Sequence, residues 1–197
     1  MFTGIVEATG LVKDVIVAGS NKSFWIESSI SNELKVDQSV SHSGACLTVE
    51  EVTGNLHRVT AIDETLKKTN INGWKAGTLI NLERCLALNS RIDGHFVQGH
   101  VDATGSCKKR IEKDGSIEFE FEFPKKFAEL VIEKGSVSIN GISLTAFNVK
   151  KKSFTVAVIP YTFAHTNIKE VDAGSEVNLE FDMIGKYILR AQKLSVE

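Results

Sequence analysis

The sequence contains the same domain twice. When residues 39–52 are laid over residues 136–149, an offset of 97, seven of the fourteen positions are identical. Further blocks match in the same order, and near the start of each copy residues 4–10 fall on residues 99–105. A period of this length is too long for a stacked solenoid repeat, so each copy is expected to have its own core. The duplication predicts a first domain over residues 1–88, a second over residues 95–183 and a C-terminal segment over residues 184–197.

Short alternating segments predict an all-β fold. Ser116–Phe123 alternates Ile or Phe with Glu over most of its length, which is typical of a strand with one buried face and one wet face. Thr78–Glu83 and Ser153–Ile159 also alternate at period two, and Gly, Asn, Ser or Asp residues separate the segments. Strands at this spacing favour a small closed barrel in each copy over a parallel sheet with crossover helices.

Short helices interrupt each copy, and a longer one follows them. Brief helical pieces are expected near Ser28–Leu34 and Asp63–Thr69, and at Pro124–Ile132 and Pro160–Thr166 in the second copy. After the second copy, Met183–Leu194 places its apolar residues on one helical stripe. Because this helix lies outside the repeated blocks, two alternatives stay open: the stripe packs against another subunit, or it packs against the chain's own barrels.

Composition and local patterns exclude several classes of protein. The formal net charge of −2 gives no electrostatic reason to expect nucleic acid or an anionic membrane as a partner. Residues 1–7 lack a signal-peptide pattern and no run of about 18 apolar residues occurs, so neither secretion nor a membrane span is expected. Three cysteines, 39 and 22 residues apart, fit neither a disulfide framework nor a zinc site, and they predict a reduced, cytoplasmic protein.

Motifs for phosphate and metal binding are missing from the sequence. No glycine-rich phosphate-binding motif occurs. His95 and His100 are five residues apart with no third ligand at metal spacing, so neither a metal nor a cofactor is expected. His42, His57 and His165 have no evident partners in the sequence, and they are interpreted as structural.

Positions at which the two copies differ are better candidates for chemistry than positions that they share. A feature present in both copies is most simply explained by the fold. Cys46 faces Ser143, and His100 faces Ile5, so the thiol belongs to the first copy alone and the imidazole to the second. A structural role stays open for each, since a lone cysteine is often a small core residue and a lone histidine is often held by hydrogen bonds. The residues alone thus predict a tandem barrel protein with a candidate Cys/His site.

Four blocks of the sequence resemble the riboflavin synthase family. They are Met1–Val6, His42–Val49, Gly94–Val101 and Gly141–Thr145. The duplication belongs to the same resemblance, which covers essentially the whole chain. It implies that each half is a six-stranded Greek-key barrel, and that the protein is a homotrimer tied by its C-terminal helices.

The resemblance implies a dismutation that uses no metal or redox cofactor. Two molecules of 6,7-dimethyl-8-ribityllumazine exchange a four-carbon unit, which gives riboflavin and 5-amino-6-(D-ribitylamino)uracil. One substrate would lie on the N-terminal barrel of one subunit and the other on the C-terminal barrel of its neighbour. Lumazine synthase is a further candidate partner on the same grounds.

Site residues follow from the resemblance position by position. For the pocket of the N-terminal barrel it implies Gly4, Ile5, Val6, Cys46, Leu47, Thr48, Thr60, Ala61, Ile62, Asp63, Glu64 and Thr65. For the pocket of the C-terminal barrel it implies Gly99, His100, Val101, Lys134, Ser143, Leu144, Thr145, Ala157, Val158, Ile159, Pro160, Tyr161 and Thr162. Backbone groups at these strand ends suit a pyrimidinedione ring, which presents alternating hydrogen-bond donors and acceptors.

Three of the candidate catalytic residues would handle protons and attack at ring carbon C7. Histidine is the side chain best suited to move protons near neutral pH, which points to His100. Cys46 together with Ser39 would add to C7 of one lumazine or direct water onto it. A thiolate at Cys46 would need a nearby positive charge.

The other three candidates would act on the second lumazine. Ser143 and Thr145 would orient its 7-methyl group, and Asp182 is a candidate carboxylate that either handles protons or supports the residues that contact the substrate. Most of the rate is expected from holding two flat substrates face to face, since orientation of two reactants is worth about 7–11 kcal/mol.

Two other functions stay open at this stage. A lumazine protein of the same family binds lumazine or flavin without catalysis, and by the pattern it lacks Cys46, His100 and the C-terminal helix. A flavin-binding barrel module of an oxidoreductase would normally be joined to a nicotinamide domain with a Gly-rich strand–turn–helix, and the sequence has none. Production of riboflavin from the lumazine without added cofactor separates the enzyme from both.

Overall fold

In the computed structural model, which describes residues 1–195, twelve β-strands close into two antiparallel barrels. The first barrel contains β1 (Ala8–Ala18), β2 (Asn21–Ser28), β3 (Ser39–His42), β4 (Ala45–Thr53), β5 (Leu56–Ala61) and β6 (Leu79–Arg84). The second contains β7 (Ala103–Lys113), β8 (Ser116–Glu122), β9 (Ser136–Ile139), β10 (Ile142–Phe147), β11 (Ser153–Val158) and β12 (Glu176–Phe181). The tandem-barrel, all-β fold predicted from the sequence is confirmed.

Both barrels have the same strand order. Hydrogen bonding runs β1-β2-β5-β4-β3-β6 around the first barrel and β7-β8-β11-β10-β9-β12 around the second, which is a Greek-key order. An irregularity in register recurs as well, between Val12 and Asp14 in β1 and between Cys107 and Lys109 in β7. The repeat in the sequence is therefore a repeat of topology down to the position of a bulge.

Each barrel is stabilised by a core of its own. In β8, Phe119 and Phe121 are fully buried while the glutamates beside them are only partly so, as the period-two pattern predicts. Phe154 and Phe181 join them to make the second core rich in aromatic rings. The first core forms separately, with the rings of Phe24 and Trp74 packed among mostly aliphatic side chains. Burial of each such side chain contributes about 1.5–3 kcal/mol.

The helical segments within the copies are short. α1 (Asp63–Lys68) and α2 (Pro160–His165) occupy equivalent places, and 3-10 segments lie at Ser31–Glu33, Asn70–Gly73, Lys125–Leu130 and Asn167–Glu170. The pieces expected near residues 28–34 and at residues 124–132 are therefore 3-10 turns and shorter than predicted. Short 3-10 segments of this kind are common as connections between other elements.

Helix α3 (Met183–Leu194) has the bounds that its apolar stripe predicts. Its start is tied to the second barrel by a 2.6 Å ion pair between Lys186 and Asp102. The next two residues, Tyr187 and Ile188, are 69% and 53% exposed, so the chain's own barrels leave much of the stripe uncovered. The predicted C-terminal segment runs on to residues 196–197, which lie outside the described residues.

Asparagine side chains join the two barrels with nearly two-fold symmetry. Asn81 in β6 and Asn178 in β12 are equivalent residues. Nδ2 of Asn81 donates to the carbonyl of Asn140, and Nδ2 of Asn178 donates to the carbonyl of Ser43, both at 2.9 Å. Each Oδ1 accepts a backbone N–H from the other copy, at 2.7 and 2.8 Å. Because these bonds are buried and reciprocal, they hold the barrels in one relative orientation.

Gly44 and Gly141 bring the two backbones together at this joint. They occupy equivalent positions in the β3–β4 and β9–β10 turns, with φ values of 85° and 78°. A Cβ on either glycine would lie 2.8 Å from the backbone nitrogen of the other. Glycine alone combines this left-handed conformation with so close an approach of two backbones.

A chain of buried hydrogen bonds distinguishes the first core from the second. Nδ1 of His42 lies 2.9 Å from the carbonyl of Val40, and its Nε2 lies 2.9 Å from Nε2 of His57. Nδ1 of His57 lies 2.8 Å from Oγ of Ser31. With both rings neutral, Ser31 donates to His57, His57 to His42 and His42 to Val40, so every proton has an acceptor. Burial lowers the pKa of His42 to about 3 and that of His57 to about 4.

We expect Gly44→Ala to destabilise the protein more than Gly77→Ala does. Both glycines have positive φ, 85° and 91°, so both substitutions carry a strain of about 1–2 kcal/mol. Nothing lies within 4 Å of a Cβ on Gly77, whereas a Cβ on Gly44 meets the backbone of the other barrel. Urea unfolding should show an additional loss of about 2 kcal/mol for Gly44→Ala. Equal losses would show that the glycine contact is not needed to join the barrels.

The paired histidines should make the free energy of unfolding depend on pH. Both pKa values lie below the ordinary 6.5, so the neutral pair stabilises the fold fully above about pH 6.5. That contribution is lost as the pH falls from about 6.5 toward 4 and then 3. The matched control is the double variant His42→Ile, His57→Phe, which carries the residues that the second copy has at Ile139 and Phe154. Urea titrations at several pH values should give a smaller slope for the double variant, and an unchanged slope contradicts the assignment.

Candidate functional site

Two extended segments pair with each other before the barrels begin. The first arm (residues 1–7) precedes β1, and the second arm (residues 95–102) precedes β7. The N–H of Phe2 donates to the carbonyl of Val97 at 2.7 Å, and the N–H of Val97 donates back to Phe2 at 3.1 Å. Both side chains are buried. The arms therefore form one antiparallel element.

Each arm lies against the barrel of the other copy. The carbonyl of Gly4 accepts a hydrogen bond from the N–H of Ser143 in β10 at 2.7 Å, and the carbonyl of Gly99 accepts one from the N–H of Cys46 in β4 at 2.8 Å. A Cβ on Gly4 would lie 2.7 Å from the Cβ of Ser143, and a Cβ on Gly99 would lie 2.6 Å from that of Cys46. This corrects the grouping expected from the sequence, because the arms cross. The second barrel lies beside Gly4, Ile5 and Val6. The first barrel lies beside Gly99, His100 and Val101.

Buried glutamates hold the arms. Glu180 in β12 accepts hydrogen bonds from the backbone N–H groups of residues 98–100 at 2.7 to 3.0 Å. The equivalent Glu83 in β6 accepts from the N–H and the hydroxyl of Thr3, both at 2.7 Å, and from the N–H of Gly4 at 3.0 Å. Burial raises the pKa of Glu180 to about 7 and also raises the pKa of Glu83, while the hydrogen bonds from the arms act in the opposite direction. Sequence comparison of the copies missed both residues because each copy has one.

The first hollow, of about 210 Å³, lies where β4 and α1 meet the second arm. Its lining includes Cys46 and His100, so the two residues that occur in one copy each face the same space. The other predicted residues in its wall are Ile62, Glu64, Thr65, Gly99 and Val101, and Ala45, Lys68 and Thr69 complete it.

The thiol of Cys46 is partly buried, and the hydroxyl of Ser39 lies near it. Burial raises the pKa of this thiol, the nearby hydroxyl of Ser39 opposes the rise, and the charge of Glu180 adds to it. The proton therefore stays on the sulfur at neutral pH. The arrangement suits a thiol that donates a hydrogen bond or directs a water molecule better than it suits a resting thiolate.

The second hollow, of about 390 Å³, lies where β10 and α2 meet the first arm. The ring of Tyr161 stacks on the ring of His165 with 4.1 Å between centroids, which gives this hollow a flat aromatic wall. His165, interpreted as structural from the sequence, therefore lines a candidate site. The predicted residues in its lining are Gly4, Ile5, Val6, Ser143, Tyr161 and Thr162.

His95 is a functional candidate that sequence reasoning missed. Its Nδ1 lies 2.7 Å from Oγ of Ser143, and its Nε2 is buried without a hydrogen-bond partner in the described structure. Burial lowers the pKa of His95, and the carboxylate of Asp182, which caps α3, acts in the opposite direction. A neutral imidazole at this distance can accept the hydroxyl proton of Ser143 and so polarise its oxygen. Comparison of the copies could not find it, because no residue of the sequence aligns with it at an offset of 95.

The remaining predicted binding residues line neither hollow. Leu47, Ala61 and Val158 are buried and Leu144 packs on the second core, so the backbone is what these positions can present. Thr48 and Thr145 lie two residues beyond Cys46 and Ser143, on the same faces of β4 and β10. Partly or fully exposed positions outside the hollows are Thr60, Asp63, Lys134, Ala157, Ile159 and Pro160.

Other features of the described residues offer no competing site. Nζ of Lys134 lies 5.6 Å from the ring centroid of Phe147, outside both hollows. Three larger hollows, of about 520, 480 and 460 Å³, contain none of the candidate catalytic residues. Within residues 1–195 no three His, Cys, Asp or Glu side chains converge as metal ligands. None of the helices in this range has the length and apolar character needed to cross a membrane.

The sequence of this chain matches known proteins over nearly its whole length. The model of the lumazine binding domain fits the chain twice, at residues 3–85 and 98–182. The chain is 38% identical to riboflavin synthase of Bacillus subtilis over 191 residues, which is 96% of this chain and 89% of that protein. It is 36% identical to riboflavin synthase of Schizosaccharomyces pombe over 190 residues, 95% and 91% of the two chains.

Solved structures show the same fold. LumP complexed with riboflavin superposes with a TM-score of 0.86 at 21% identity, covering 92% of this chain and 99% of that one. LumP complexed with 6,7-dimethyl-8-(1'-D-ribityl) lumazine gives 0.84 at 20% identity with the same coverage. At these identities the likeness concerns the fold alone. The two matches to the domain model and the relatives aligned over nearly the full length show that the chain belongs to the riboflavin synthase family, with two lumazine-binding domains in tandem.

Proposed function

We propose that the chain is a transferase that converts two molecules of 6,7-dimethyl-8-ribityllumazine into riboflavin and 5-amino-6-(D-ribitylamino)uracil, the last step of riboflavin biosynthesis. The observation that carries the proposal is that two equivalent hollows present different reactive groups. The first contains Cys46 and His100. The second contains Ser143, which is hydrogen-bonded to His95. Equivalent hollows suit two copies of one substrate, and different groups suit different roles for the two copies.

The walls of the hollows suit a flat ring with a polar edge. Apolar side chains flank each space, Ile62 and Val101 in the first hollow and Ile5 and Val6 in the second. Such a mixture of apolar walls and a few convergent polar groups is typical of small-molecule sites. The stacked ring of Tyr161 adds an aromatic surface for the lumazine in the second hollow.

The reactive groups divide the chemistry between the hollows. In the second, His95 takes the proton of Ser143, and the polarised oxygen removes a proton from the acidic 7-methyl group. In the first, Cys46 and Ser39 direct water to C7 of the bound lumazine, and His100 exchanges the protons that the later steps release and need. The four carbons lost by one lumazine are gained by the other, so the overall reaction balances without an external oxidant.

Each complete site would combine hollows from neighbouring subunits of a homotrimer. The exposed stripe of α3, with Tyr187 and Ile188, supports this because it offers an apolar surface for assembly. The three free thiols, Cys46, Cys85 and Cys107, support a reducing compartment, the cytoplasm.

The proposed activity can be tested by mixing the purified protein with the lumazine and following riboflavin fluorescence without added cofactor. We expect turnover in the parent, and a loss of roughly 10²-fold in kcat for His100→Asn and for Cys46→Ser, with riboflavin still bound. Cys85→Ser is the matched control, since Cys85 lies outside both hollows. Lumazine binding without turnover in the parent supports a binding protein instead, and variants that react at the parental rate contradict the assigned roles.

Assembly can be tested on the stripe of α3. Tyr187→Glu combined with Ile188→Glu places two charges on the exposed apolar face, and we expect the mass in solution to fall toward the 21.6 kDa monomer with loss of turnover. Riboflavin binding should be retained more fully than turnover, because each hollow is built within one chain. Lys193→Glu, on the opposite side of α3, is the control and should leave the trimer intact. A parent that is a fully active monomer contradicts the shared-site proposal.

A further inference from the structure

Two buried carboxylates, Glu83 in β6 and Glu180 in β12, hold the arms. Glu83 and Glu180 are 8% and 2% exposed, and neither belongs to the wall of the first or the second hollow. Each accepts three hydrogen bonds, and all of the donors belong to an arm. The proposed chemistry uses neither residue, so their arrangement needs another explanation.

The connection from each carboxylate to a reactive residue is short. Glu180 in the second barrel binds the N–H of Gly99, and the carbonyl of Gly99 accepts from the N–H of Cys46 in the first barrel. Glu83 in the first barrel binds the N–H of Gly4, and the carbonyl of Gly4 accepts from the N–H of Ser143 in the second. A single glycine residue therefore separates each carboxylate from the strand that carries Cys46 or Ser143.

We propose, on the basis of the function proposed above, that Glu83 and Glu180 are positioning residues that act crosswise. Glu180 of the second barrel sets the geometry of the first hollow, and Glu83 of the first barrel sets the geometry of the second. Glu180 also positions His100 of the first hollow, because the N–H of His100 is one of the three that Glu180 binds, at 3.0 Å. Neither glutamate touches the substrate.

A carboxylate is required at both positions because of the donors that it faces. Three donors converge on two oxygen atoms in each case, and both oxygens are used. An amide of the same size offers one oxygen and one NH2 group, so in either orientation a donor faces a donor. Glu180→Gln and Glu83→Gln should therefore release one side of the corresponding arm without changing the volume of the side chain.

The reactivity of two thiols at equivalent positions can be measured to probe the two hollows separately. Cys46 reports the first hollow, and Ser143→Cys introduces a thiol at the equivalent position of the second. The rate of alkylation by iodoacetamide at each position is measured by mass spectrometry of the peptides, with and without riboflavin as the protecting ligand. Without riboflavin the rate reports the position of the arm, and with riboflavin it reports occupancy of the hollow. No turnover is needed, so failure of the proposed reaction in the parent protein is a separate result.

We expect Glu180→Gln to raise the alkylation rate of Cys46 and to weaken its protection by riboflavin, each by about 10-fold, with the thiol at position 143 changed less than 2-fold. Glu83→Gln should do the reverse. If a Gln variant folds poorly by circular dichroism, the corresponding Asp variant, which keeps the charge but shortens the reach, is measured by the same criterion. Equal effects at both thiols, effects confined to the barrel that carries the substitution, or no effect would each overturn the proposal.

Discussion

The approach of Gly44 to Gly141 is the constraint on which the rest of the molecule depends. With 2.8 Å between a Cβ on one and the nitrogen of the other, the barrels meet backbone to backbone, and the reciprocal asparagines then allow one orientation. In that orientation β4 lies beside the second arm and β10 beside the first. The hollows are therefore products of the joint between the barrels as much as of either barrel.

Duplication explains both the likeness of the two hollows and their different chemistry. Strand order, the bulge, the arm and its glutamate occur in each copy, so each copy contributes the same elements to a hollow. The reactive groups nevertheless differ on the strand that faces each arm, where one copy has Cys46 and the other has Ser143 hydrogen-bonded to His95. The first core diverged too, since it contains a buried pair of histidines that the second lacks.

Much of this could be predicted from the sequence, and the limits have physical causes. Periodicity gave the strands because burial alternates along them, and comparison of the copies found Cys46 and His100 because each lacks a counterpart. The crossing of the arms was mispredicted, since nothing local tells a glycine which barrel its carbonyl will meet. Glu83 and Glu180 went unnoticed because a shared residue suggests the fold alone, and His95 because it has no aligned position in the first copy.

The paired arms also bear on how such a chain could have arisen. A molecule with a single copy would own one barrel and one arm, and that arm reaches toward a barrel it does not contain. Two such molecules would have had to exchange arms, with the arms paired as Phe2 and Val97 pair here, before either had a complete hollow. Because both copies lie in one chain, the corresponding contact here is intramolecular and does not depend on concentration. The two copies in this chain are therefore arranged like a domain-swapped dimer whose subunits are covalently joined.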